Sequence, residues 1–468
     1  MLSGQSICRH LLLAAAVFLV ARSSFSQESA GTIDPRRYGI KLPAGPVVQG
    51  CGETVTTDDK AGKPAVGRIH LRIGDGAVIL LPDGQLVSRG AGRFAATDRP
   101  FTSLTKEEVI ARLAVEFPTF KTKSTKHYVY VYDTSDEFLL GTSRILETML
   151  PGVKGYAELN RIAVKDPQFP LVVVMFKNEK DFQKYRRMPE GVVAYYDTLS
   201  NRVILYEQSK LAEEWPELAE QQAISTVAHE GVHQILHNIG VQQRLSVWPM
   251  WLSEGLAEFF APTSTTERLH WKGAGQVNDL RMYELEQYLQ SNAAKDPNGE
   301  LVEHTVLAGQ LTSTGYASAW ALTFYLAKMR RQEFDDLLKA ASQIKPLEGA
   351  TDVGAAGVVR SNRTQFEELF GKDFKDLERR LVLYLKKQSY IDPFSNTPHF
   401  VATLVTEGKK RPKRAANTFQ SLPLAQKWLR ESLNEEPANK RKTAQRSIRA
   451  FRNRTEAEAY ANKWLQTQ

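Results

Sequence analysis

The sequence predicts an α+β protein, in which β-type runs dominate the first part, strand and helix patterns then interleave, and the later part is mostly helical. Two observations carry this. Ile69, Leu71 and Ile73 alternate with polar residues beside the turn sequences Gly74-Asp75-Gly76 and Pro82-Asp83-Gly84, the mark of a small β-meander. Ile224, Ala228, Val232, Ile235 and Ile239 instead recur at helical spacing, an apolar stripe on a long helix that begins near Trp215-Pro216 and stops at Gly240.

With 468 residues, 42% of them hydrophobic and 24% charged, the chain can bury a large core, and its balance excludes wholesale disorder and a polytopic membrane protein. Arg9 and His10 lead into an apolar run over residues 11–21, and Ser24-Phe25-Ser26 follows with small residues before Gln27. That is the layout of a cleavable secretory signal, too short to span a membrane, and it predicts a secreted, periplasmic or envelope protein. Cys51 alone then remains, so no internal disulfide can form. The whole chain has a net charge of +8, yet residues 401–468 hold 15 Lys and Arg against 6 Glu. The basic character therefore belongs to the C-terminal end. It reads as a solvated tail or as a contact for an anionic envelope polymer or membrane surface; no nucleic-acid motif accompanies it.

Residues 27–66 are rich in Gly, Pro, Thr and Lys with little periodicity, which reads as a poorly ordered lead-in or a loop-rich edge. Thr105-Lys106-Glu107-Glu108 has the capping-box form and predicts a helix to about Glu116, ended by Phe117-Pro118. Strands are expected at 127–132, 171–176, 192–196 and 202–206, and helices at 135–150 and 179–185. After the long helix, a second should run from near Pro249 to before Pro262, with further helices at 316–330, 333–341 and 364–387. The organisation expected is a signal peptide (1–26), an N-terminal β-rich module (27–120), a catalytic region (121–390) and a basic, partly helical tail (391–468).

His229-Glu230-Gly231-Val232-His233 has the form H-E-x-x-H. On a helix, residues four apart share a face, so both imidazoles can reach one metal ion while the intervening Glu reaches a water on it. The segment Trp251-Leu252-Ser253-Glu254-Gly255-Leu256-Ala257-Glu258 lies on the next helix, where Glu254 and Glu258 share a face and either can offer a third, carboxylate ligand. His237 is too remote, since about 1.5 Å of rise per residue puts it roughly 12 Å along the axis from His229. Leu236 and Ile239 stand where the metzincin pattern needs Gly and His.

Together the two segments resemble the gluzincin zinc metallopeptidases, especially the peptidase MA-like group and related bacterial families carrying W-L-x-E-G-x-A-E. The resemblance spans roughly residues 125–385. It implies a zincin-like core with a small mixed sheet over the active-site helix, and one Zn2+ held by His229, His233 and Glu254. Glu230 would be the general base and Glu258 would orient a ligand imidazole, with Gly255 letting the two helices approach closely. Tyr316, in Gly315-Tyr316-Ala317-Ser318-Ala319-Trp320, resembles the helix-borne tyrosine that steadies the oxyanion in related gluzincins. Trp248, Trp251 and Trp320 are assigned to packing. The implied activity is hydrolysis of peptide bonds in a peptide or protein substrate that adds to an edge strand, either 192–196 or 202–206. No G-x-M-E-N sequence is present to capture a substrate amino terminus, which favours endopeptidase action. The rival is an inactive peptide-binding or envelope scaffolding protein on the same fold.

Overall fold

The computed structural model describes residues 34–466 apart from 51, 190, 209–215, 265–268, 291–299, 349–354, 396, 409–410 and 420–421. The expected signal sequence lies outside these residues. The described chain falls into two compact units, the larger running to Asn278 and resuming from Glu300 to Gln388. The smaller combines the helix that begins at Asp279 with the chain from Ser389 onward. The fold is α+β, as expected.

In the larger unit, β1 (Val47–Gln49), β2 (Thr54–Asp58), β3 (Pro64–Ile73), β4 (Gly76–Leu80), β5 (Leu86–Arg89) and β6 (Ala95–Ala96) form an antiparallel sheet, ordered β5-β4-β3-β2-β6 with β1 also on β3. The poorly ordered lead-in or loop-rich edge expected over residues 27–66 is thus corrected, for β1 and β2 are strands paired with β3. Val55 and Thr57 alternate inward along β2, a period that three threonines and one valine carry but average composition conceals. α1 (Lys106–Glu116) starts on the expected capping box, with Thr105 and Glu108 satisfying each other's backbone amides.

The second sheet contains β7 (Lys121–Ser124), β8 (Tyr128–Tyr132), β9 (Leu171–Asn178), β10 (Ala194–Asp197) and β11 (Arg202–Gln208), ordered β10-β11-β9-β8-β7. Its three inner strands are parallel and its outer pairs antiparallel, so the sheet is mixed. The continuous apolar run of β9 fits a central strand buried on both faces. Of the two strands expected as candidate edges, β10 is an edge of the sheet and β11 is internal.

Helices α2 (Asp136–Leu159), α3 (Glu179–Tyr185), α4 (Pro216–Ile239) and α5 (Met250–Phe260) accompany this sheet, and the short strands β12 (Thr263–Ser264) and β13 (His270–Trp271) follow. α2 runs past its expected end at residue 150. Pro151 removes one donor, but Val153 and Ala157 continue the buried face beyond it. After α6 (Asp279–Gln290), which belongs to the smaller unit, come α7 (Leu301–Leu307), α8 (Ser313–Met329), α9 (Arg331–Ser342), α10 (Ala355–Phe370) and α11 (Phe374–Leu385). The single helix expected over 364–387 is two, because Gly371 takes a left-handed φ of 89° and ends α10.

In the smaller unit β14 (His399–Thr406) is flanked by β15 (Lys413–Phe419) and β16 (Gln445–Phe451). Between β15 and β16 lie α12 (Leu422–Asn434) and the short α13 (Ala438–Thr443), and α14 (Arg454–Gln466) ends the described chain. Ala402, Leu404 and Phe419 pack with Ala425, Leu429 and Leu433 of α12, whereas Val401 packs with Ala457 and Ala461 of α14. The expected solvated tail is therefore a folded layer. Its helices were legible, but the polar, Lys- and Arg-bearing outer strands hid the sheet. α6 is tied in by the Ile391 amide, which donates to Asp279 at 3.0 Å, and by Tyr283 against Phe394. Among the described residues no helix is long and apolar enough to cross a membrane.

Candidate metal centre

α4 is not the one-sided amphipathic helix that its spacing implied. From Ala223 to Ile239 nearly every residue is buried, with β10 and β11 on one side and α2 and α5 on others. Gly231 permits the α2 contact, since a Cβ there would stand 2.3 Å from Leu146 Cδ2. Polar ties fix the rotation of α4 on the sheet. The Gln234 amide donates to the carbonyls of Val172 (3.1 Å) and Asn201 (2.8 Å), and Asn201 and Asn238 exchange bonds at 2.9 and 2.7 Å. The Tyr196 hydroxyl completes the set by donating to Asn201 Oδ1.

The connector between α4 and α5 is clamped as firmly. Buried Arg244 donates to the carbonyls of Thr198 and Leu199 in the β10–β11 turn and of Gly84 in the first sheet. His70 of β3 donates to the Arg244 carbonyl at 2.9 Å, and the next residue, Leu245, adopts a left-handed φ of 66° inside an apolar cluster with Ile40, Leu71 and Leu347. α8 then meets α5 at Gly255, where a Cβ would lie 2.2 Å from Thr323 Oγ1 and 2.7 Å from the Ala319 carbonyl oxygen. Here the expectation needs correction. Gly255 makes room for the Tyr316 helix rather than for α4.

The result is a buried group in which His229, His233 and Glu254 converge. His229 Nε2 is 3.0 Å from Glu254 Oε2 and 3.3 Å from His233 Nε2, and His233 Nε2 is 3.5 Å from the same carboxylate oxygen. Three ligand atoms of a tetrahedral zinc site, each about 2.0–2.2 Å from the ion, lie about 3.3–3.5 Å apart, so the donors and their spacing fit such an ion. Burial opposes charge on His229, but Glu254 and Glu258 on either side outweigh it and raise its pKa well above the ordinary imidazole value. Burial likewise opposes ionisation of Glu254, and the two imidazoles reverse it, holding the carboxyl at about 2.

Glu258 Oε1 lies 3.0 Å from His229 Nδ1, and its other oxygen accepts from the Asn278 side chain at 2.9 Å. Nδ1 thus carries a proton toward Glu258 while Nε2 faces the cluster. Glu230 is fully enclosed: Oε2 accepts from the backbone amide of Tyr196 at 2.8 Å, whereas Oε1 is buried with no hydrogen-bond partner among the described residues. Burial raises the Glu230 pKa above the usual carboxylate value. The Tyr316 ring is buried 6.1 Å from the His229 ring, so α8 brings it to the cluster. His237 is directed elsewhere, donating to the Gln242 carbonyl and stacking on Tyr196. Trp248, Trp251 and Trp320 are buried, in keeping with packing. Spacing could not reveal Asn278, Arg244 or the Tyr196 amide, because their roles come from loop paths and main-chain direction.

The group could hold a metal ion: two histidines and a carboxylate from two crossing helices, with a further carboxylate behind one imidazole. Residues 223–348, which include His229, Glu230, His233, Glu254, Glu258 and Tyr316, match the model of a family described as a protein of unknown function, DUF1570. No curated protein matches the chain.

Proposed function

We propose that the protein is an exported zinc metallopeptidase of the gluzincin type, holding one Zn2+ through His229, His233 and Glu254. The observation that carries this reading is the convergence of two Nε2 atoms and one carboxylate oxygen beside a buried Glu230 whose Oε1 has no hydrogen-bond partner among the described residues. Zinc bound there would supply a Lewis acid that polarises a carbonyl and acidifies water. Glu230 moves the proton. Its Oε2 is anchored on the Tyr196 amide, and Oε1, with proton affinity raised by burial, accepts a proton from water and returns it to the leaving amine. Tyr316 offers a hydroxyl to the developing oxyanion. β10, whose own Tyr196 amide holds Glu230, gives an extended peptide an edge to pair with. Export leaves the basic smaller unit as the part suited to an anionic envelope polymer or membrane surface.

Glu230→Gln tests the reading, because it keeps size and the Tyr196 bond while removing the base. The variant should retain one zinc per chain and lose nearly all cleavage of a generic protein substrate. Zinc-dependent cleavage at the parent rate by the variant, or no zinc uptake by the parent, overturns it.

A further inference from the structure

The chain that leaves α5 does not depart from it but turns back along its C-terminal end. The Trp271 indole donates to the Phe260 carbonyl at 2.6 Å, the Lys272 amide to Pro262 at 2.9 Å and the Gly275 amide to Phe259 at 3.4 Å. A helix ends with unpaired carbonyls, and this return segment supplies donors for them. Two glycines make the path possible. Gly152 of α2 leaves room for the Trp271 ring, which a Cβ would meet at 2.0 Å, and Gly275 takes a left-handed φ of 65° against Phe259. The segment ends by placing the buried Asn278 side chain 2.9 Å from Glu258 Oε2, with the same nitrogen 3.4 Å from the Glu258 carbonyl.

From this we infer that Asn278 is a positioning residue for the metal site, acting through Glu258 on His229. The inference rests on the metal-binding reading given above. A carboxylate can rotate about its terminal bond, and one oxygen held by an amide fixes where the other points. With Oε2 engaged by Asn278, Oε1 is aimed at His229 Nδ1, which sets the ring plane and keeps the proton on Nδ1. Nε2 is thereby the nitrogen turned toward His233 and Glu254, where it would meet an ion. An amide suits this place where a carboxylate would not, since it brings a donor to Glu258 without a second negative charge.

The test is a set of zinc titrations against a competing chelator on the parent, Asn278→Ala, Glu258→Ala and the double variant. Each single change should weaken zinc binding about 10- to 100-fold, and the double variant should bind no more weakly than Glu258→Ala alone, because one residue acts through the other. Asn278→Asp, of equal size, should weaken binding at least as much. Its cobalt-loaded form should also lose or shift the slowly exchanging imidazole N–H resonance that the parent shows. Parent-like zinc affinity in Asn278→Ala and Asn278→Asp, or losses that simply multiply in the double variant, would overturn the inference while leaving the metal site intact. Failure of the parent itself to bind zinc would instead overturn the reading beneath it.

Discussion

Glu254 and Glu258, one turn apart on α5, grip opposite nitrogens of a single imidazole: Glu254 Oε2 lies 3.0 Å from His229 Nε2, and Glu258 Oε1 lies 3.0 Å from His229 Nδ1. The two carboxylates share a helix face, and Glu254 also lies 3.5 Å from His233 Nε2. Their substitutions should therefore differ in kind. Glu258→Ala is expected to weaken zinc binding about 10- to 100-fold, as for loss of a ligand's hydrogen-bond partner. Under the proposed function Glu254→Ala removes a ligand outright, and it should lose the metal far more completely. Chelator competition decides between them, with His237→Ala as a control expected to bind like the parent. A zinc-free Glu258→Ala beside a zinc-binding Glu254→Ala would reverse the assignment.

Tyr316→Phe separates a chemical role from a packing one. The ring sits buried beside His229, and phenylalanine preserves that contact. Under the proposed function the hydroxyl acts on charge that develops in the transition state, so kcat should fall by about 10²-fold with KM and zinc affinity little changed. Equal turnover in the two proteins would return Tyr316 to the core.

The local elements were legible because their signals are local. The Thr105 capping box, the alternation of Ile69, Leu71 and Ile73, and the four-residue spacing of His229 and His233 all depend on neighbours in sequence. What the sequence concealed depends on the path of the chain in space. Gly255 looked like a groove for α4 because spacing says that a face is bare without saying which helix fills it, and α8 fills it. Asn278 sits in an unremarkable loop until that loop folds back along α5. The smaller unit escaped notice because β14 buries both faces and so lacks a period of two, while its partners carry the charge of a tail.

Two glycines make a paired prediction about helix approach. At Gly255 an added Cβ meets the Ala319 carbonyl oxygen at 2.7 Å as well as Thr323 Oγ1, and backbone cannot swing aside. At Gly231 it meets only Leu146 Cδ2, the end of a flexible side chain. Gly255→Ala should cost about 1–3 kcal/mol by overpacking, and Gly231→Ala less. Gly255→Ala should also depress turnover more than zinc binding, since it pushes on the helix that bears Tyr316. Chemical denaturation of both variants reads the first expectation, and equal losses would mean that α8 yields as easily as a leucine methyl.

The last prediction concerns acid. His70, partly buried on β3, donates to the Arg244 carbonyl, and so joins the first sheet to the connector between α4 and α5. Burial is the main reason its pKa falls from 6.5 to about 4; the nearby Arg244 charge adds to the fall, while the bond to the Arg244 carbonyl opposes it. A folded value below the ordinary one means that the unfolded chain takes up this proton first as acid is added. The stability that neutral His70 contributes is therefore whole above about pH 6.5, shrinks between 6.5 and about 4, and is gone below that. Allowing for partial exposure, the loss should be on the order of 2 kcal/mol. His70→Gln keeps a donor for the Arg244 carbonyl but cannot take up the proton. Denaturation midpoints at pH 7.5 and 4.5 should thus diverge less in the variant than in the parent, and hydrogen exchange over residues 241–247 should rise at pH 4.5 in the parent alone. Identical acid sensitivity in both proteins would show that His70 does not govern this clamp.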